Sequence, residues 1–137
     1  MSQSSPVEII ASDAGVPLAY IVDPHWLPSE TTFMTPGDFS LQMGMIVYGA
    51  GQDIPAHVHL PITRQVEGTN ECIVVRKGRC RVTIYDSARN FVAERDLEEG
   101  AIILLLGGGH GFHCHEDTVL FEVKQGPYAG NKDKERF

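Results

Sequence analysis

From Phe39 onward the chain is built of short runs of apolar, β-branched and aromatic residues, broken at Gly, Pro, Asp or Asn. That punctuation is the rhythm of strands joined by tight turns. The runs predict strands over Leu18–Val22, Phe39–Tyr48, Ala56–Leu60, Glu71–Lys77, Arg79–Tyr85, Phe91–Leu97, Ile102–Leu106 and Val119–Lys124. No helix of ordinary length competes with them. The first 38 residues contain Pro17, Pro24, Pro28 and Pro36 and no capped helical pair, which excludes a helix-turn-helix module. There is no internal repeat and no heptad.

The clearest local pattern is the stretch from Glu71 to Tyr85, two strand-like runs that meet at Lys77-Gly78. Gly tolerates the positive φ of a tight turn, so the stretch predicts a hairpin. Cys80, Val82 and Ile84 alternate with Arg79, Arg81 and Thr83, which places the first set inside and the second in solvent. Pairing across the turn sets Val75 opposite Cys80, so Glu71, Ile73 and Val75 share the inner face. A carboxylate there needs a cation, a metal or a proton. If the strand begins one residue later, Glu71 instead sits at a solvated rim.

Composition narrows the class. The 137 residues suffice for one domain that buries about 70% of its unfolded surface without crosslinks. We divide them into an N-terminal extension with short strands (1–38), a strand-rich body (39–125) and a tail (126–137). A formal charge of -7 disfavours nucleic acid and anionic membrane as partners. The odd set Cys72, Cys80 and Cys114 reads as free thiols. With no leader pattern at Met1–Pro6 and no long apolar run, the expected location is the cytoplasm.

His57 and His59 stand at i and i+2, a spacing that on a strand aims both imidazoles to one face. A second polar cluster follows the run Ile102–Leu106, where a Gly-rich turn leads to His110, His113 and His115. His110 delivered inward would supply a third nitrogen, and Glu71 would complete the shell. Gly51, five residues, His57, one residue, His59, then Glu71, six residues and Gly78 form an ordered set. This set resembles the first motif of the cupin superfamily, and Gly100, Gly108 and His110 are similar to the second. Eleven residues separate His59 from Glu71 where the family has three or four, which implies an inserted loop over Leu60–Asn70 with Glu67 as rival ligand. In the second motif Leu106 replaces proline, the turn is one residue short, and Cys114 stands where the family often has Asn. His113 is the alternative to His110.

The resemblance implies an all-β fold, the double-stranded β-helix or cupin jelly-roll barrel, with His57, His59, Glu71 and His110 around one divalent transition metal ion. Zn, Fe, Mn, Ni, Co and Cu all suit such ligands. The implied activity is that of an isomerase or epimerase acting on a phosphorylated or nucleotide-linked sugar. A metal-dependent dioxygenase and a non-catalytic sugar or small-molecule binder are the alternatives. Glu71 is the candidate catalytic carboxylate, and Arg64 or Lys124 would hold an anionic substrate group. Arg64 also reads as a solvated loop cation, Lys124 and Glu122 as part of an exposed polar face, and Cys114 as a strand cysteine. Surplus apolar faces at Ile46, Val74 and Ile103–Leu106 point to a homodimer formed through a sheet.

Overall fold

The computed structural model describes residues 5–137, so residues 1–4 of the N-terminal extension lie outside the described residues. Among the described residues ten strands follow one another: β1 (Val7–Ala11), β2 (Pro17–Val22), β3 (Thr32–Phe33), β4 (Gly44–Met45), β5 (Glu71–Lys77), β6 (Cys80–Tyr85), β7 (Phe91–Leu97), β8 (Ile102–Leu105), β9 (Gly109–Cys114) and β10 (Val119–Lys124). Among the described residues no helix is long and apolar enough to cross a membrane. The expected all-β class is the one observed, although no closed barrel is formed among the described residues. The chain divides into two compact units, one of residues 27–67 and one of the remainder.

The larger unit is a sandwich of two antiparallel sheets. One has the order β1-β2-β8-β5-β10 and the other β7-β6-β9. Period-two alternation gives each sheet an apolar inner face. Ile73 and Val75 of β5, Ile103 and Leu105 of β8, and Ala19 of β2 meet Cys80, Val82 and Ile84 of β6 and Leu97 of β7 in one buried cluster. Tyr20, Val22 and Leu104 are buried as well. Residues 7–22, assigned from sequence to an extension, therefore supply two of the five strands of the larger sheet.

The expected hairpin is not formed. β5 pairs with β8 and β10, while β6 pairs with β7 and β9, so the turn between them carries the chain from one sheet to the other. The faces are nonetheless as expected. Crossing between sheets lets Ile73 and Val75 lie against Val82 and Ile84, whereas a flat hairpin would leave both sets side by side and uncovered. Gly78 makes the corner at φ 86°, where an added Cβ would stand 2.2 Å from the Asp117 carbonyl oxygen. The Gly-rich segment predicted as a turn also differs, because its second half is β9, paired with β6 along its whole length.

In the smaller unit only β3 and β4 pair. The predicted strand Phe39–Tyr48 shrinks to Gly44–Met45 because Gln42 Nε2 donates to the carbonyls of Pro36 and Phe39 and holds a local turn there. Ala56–Leu60 forms no strand. Pro55 and Pro61 flank it, neither can donate to a ladder, and Val58 and Leu60 are exposed.

Among the described residues two pairs of polar side chains join the two sheets. Arg95 of β7 binds Glu8 of β1 through Nε and a terminal nitrogen at 2.9 and 3.0 Å, which raises the guanidinium pKa further. The other pair belongs to the candidate site. The tail folds back on the smaller sheet of the sandwich: the Phe137 ring stands edge-on to Tyr85 at 5.0 Å, and the Arg89 guanidinium lies 5.2 Å from its centroid. Ring and cation contacts of this kind contribute about 1 kcal/mol. Phe137→Ala is therefore expected to lower stability by about 1 kcal/mol in urea unfolding; an unchanged midpoint would show that the tail does not hold the fold.

Candidate functional site

The first residue of β5 opens the site. Glu71 stands opposite Leu105 of β8 and Lys124 of β10, and it shares the inner face with Ile73 and Val75. On the facing sheet His110 lies opposite the buried Ile84 and so also points inward. The two side chains meet across the sandwich, with His110 Nε2 3.4 Å from Glu71 Oε2 and side-chain exposures of 31% and 18%. His113 is opposite Arg81 on the outer face, its ring 5.5 Å from His115. Parity along β9 thus separates the two candidate histidines.

A second carboxylate completes this cluster. Glu122 is opposite Ile73, one inward position along β10 from Lys124. The His110 hydrogen bond, aided by Glu122 and by the charges of His110 and Lys124, holds the Glu71 carboxyl below the usual range against the opposing effect of burial. Burial first, and then the Glu71 carboxylate, push Glu122 up. The two glutamates therefore divide their roles: Glu71 carries the charge and Glu122 keeps its proton longer. The backbone N–H of Asn70 donates to Gln125 Oε1 and ties the start of β5 to the end of β10. From sequence Glu122 belongs to an exposed polar face; only the pairing of β10 with β5 brings it beside Glu71.

The other predicted residues lie in the smaller unit. The rings of His57 and His59 stand 5.2 Å apart at 68°, and His57 Nδ1 is 2.9 Å from the Pro55 carbonyl oxygen. That contact engages Nδ1 as the donor and leaves Nε2 free to bind a ligand. Arg64 and Glu67 are exposed in a segment without strands. Within the larger unit Glu71 meets His110, and within the smaller unit the rings of His57 and His59 lie side by side. Among the described residues no group of three or more His, Cys, Asp or Glu is placed to hold an ion. The donor types of both pairs suit a divalent transition metal.

Comparison with family models, curated proteins and solved structures finds no match. The chemistry rests on the side chains themselves.

A cleft of about 540 Å³ opens elsewhere on the sandwich, lined by Glu8, Ile21, Asp23, Arg79, Asp96 and Glu98 among others, and holds none of the predicted site residues. Its acids already have partners. Glu8 binds Arg95, Asp23 accepts from the His25 backbone, Glu98 stands 3.6 Å from His25, and Asp96 is 2.7 Å from His115. The His115 contact, aided by the charges of Arg79 and Arg81, lowers the Asp96 pKa despite its desolvation. His25 lies in a turn.

The site has a pH signature of two signs. Glu71 binds its proton less tightly in the folded chain than in the unfolded one, so its contribution is present above the unfolded pKa and is lost as pH falls through the folded pKa. Glu122 binds its proton more tightly when folded, so its ionisation weakens the fold as pH rises. At pH 7 Glu122→Gln is expected to raise the thermal midpoint and Glu71→Gln to lower it. Both differences should shrink in acid below the ordinary glutamate range. Shifts of the same sign, or shifts that persist in acid, would contradict this electrostatic arrangement.

Proposed function

We propose that this chain is a cupin-like jelly-roll protein that moves protons on a small anionic substrate, as an isomerase or epimerase of phosphorylated or nucleotide-linked sugars does. One observation carries the reading. An ionised carboxylate and an imidazole 3.4 Å apart are flanked by a second carboxyl of raised pKa and by an ammonium on the adjoining strand. Shifting a proton beside a carbonyl needs a base to remove it and an acid to return it. Glu71 serves as the base, held by His110, and Glu122 as the proton donor. Lys124, directly across from Glu71 in the sheet, supplies a positive charge for an anionic group of the substrate.

A metal-dependent reading is favoured separately by His57 and His59, whose close rings and anchored Nδ1 are what a metal-binding imidazole pair requires. A divalent transition ion bound with these residues would polarise a carbonyl or hydroxyl oxygen. Of the apolar residues expected to form a dimer face, Ile103, Leu104 and Leu105 are buried within the chain, because they fill the centre of the five-stranded sheet; the exposed Phe121 and Val123 on the edge strand β10 support a homodimer formed through that edge. The unpaired cysteines agree with an intracellular location.

The reading is tested by solvent exchange. A panel of aldose and ketose phosphates is incubated with the protein in D2O and followed by proton NMR under argon and under air. The expected result is loss of the C–H signal beside the carbonyl under both atmospheres, slowed by about 100-fold or more in Glu71→Gln. Oxygen consumption without exchange would replace this reading with the dioxygenase, and binding without either would replace it with the binder.

A further inference from the structure

Cys80 and Cys114 are direct partners across β6 and β9. The type of pairing follows from the next position along. There His115 N–H donates to the Arg79 carbonyl at 3.0 Å, so Arg79 and His115 form the hydrogen-bonded pair of the ladder. Pairs alternate, which makes Cys80 and Cys114 a non-hydrogen-bonded pair. Such pairs have Cα atoms about 4.5 Å apart with side chains drawn together. That spacing falls within the about 4.4–6.8 Å that a disulfide spans. Both thiols are free, Cys80 is fully buried and Cys114 is exposed.

We propose that Cys80 and Cys114 are a redox modification site, closed by peroxide into a cross-strand disulfide that clamps β6 to β9. Exposure assigns the order of events. The Cys114 thiolate attacks one peroxide oxygen, the O–O bond breaks, and the other oxygen leaves as water after taking a proton. Cys114 is then a sulfenic acid. The Cys80 sulfur attacks the Cys114 sulfur, the S–O bond breaks, and a second water leaves with the Cys80 proton. Two thiols and one peroxide become one disulfide and two waters. Burial pushes the Cys80 thiol up, with Cys114 and Asp96 adding to it, which suits Cys80 to the second step rather than the first. The bond fixes β9, the strand that carries His110, four residues from Cys114. This inference stands apart from any reading of the Glu71 site.

The test is peptide mapping of the full chain after limited hydrogen peroxide, without reductant. The expected product is a monomer lighter by two hydrogens in which Cys80 is joined to Cys114, Cys72 remains alkylatable, and dithiothreitol restores both thiols. Cys114→Ser should leave Cys80 reduced, and Cys80→Ala should leave a dimedone-reactive sulfenic acid at Cys114. The proposal is overturned if Cys114 passes to sulfinic acid in the wild type with Cys80 untouched, or if the disulfide joins two chains or includes Cys72. Should Cys80→Ala not fold, the wild-type map and Cys114→Ser decide alone.

Discussion

The sandwich depends on one layer of side chains, the inward positions of β5 and β8 pressed against those of β6. Burial of Ile73, Val75, Val82, Ile84 and Ile103 removes most of their surface from water, each such side chain stabilising the fold by about 1.5–3 kcal/mol relative to exposure. The same alternation that aims these residues inward also aims Glu71 inward, and a carboxylate in that layer must be paired. His110 meets it from the opposite sheet. Core and site are thus consequences of a single periodicity, and the Glu71–His110 contact stands where the apolar layer gives way to polar groups.

The faces of the strands were legible in the sequence because they depend only on residue parity. The partners were not, because pairing depends on where each strand finds cover. Glu71–Lys77 and Cys80–Tyr85 read as neighbours across a tight turn. Yet β5 is apolar on both faces through Cys72, Val74 and the inward set, and it takes β8 and β10 as neighbours. Gly78 supports either path, since both need a positive φ there; its close approach to Asp117 distinguishes the corner, and that contact is long-range. The exposed segment around His57 misleads in the opposite sense: its alternation is that of a strand, but Pro55 and Pro61 remove the donors that a ladder needs.

The site was legible to the extent that it is local. Glu71 was marked by its place in an apolar alternation and His110 by its place after a Gly-rich run. Glu122 was not, since its neighbours Phe121 and Val123 make it look like one member of a solvated face; its meaning comes from the register that sets it one inward position from Lys124. Cys80 and Cys114 are 34 positions apart in sequence and become partners only through the ladder of β6 with β9. In each case the residue type could be read from the chain and its counterpart could not.

The most direct measurement is a carbon NMR titration of the glutamate carboxyls in wild type and in His110→Ala. The account predicts that Glu71 titrates below the ordinary glutamate range and Glu122 above it, and that loss of the imidazole moves Glu71 upward. Ordinary values for both carboxyls, unmoved by the loss of His110, would contradict it.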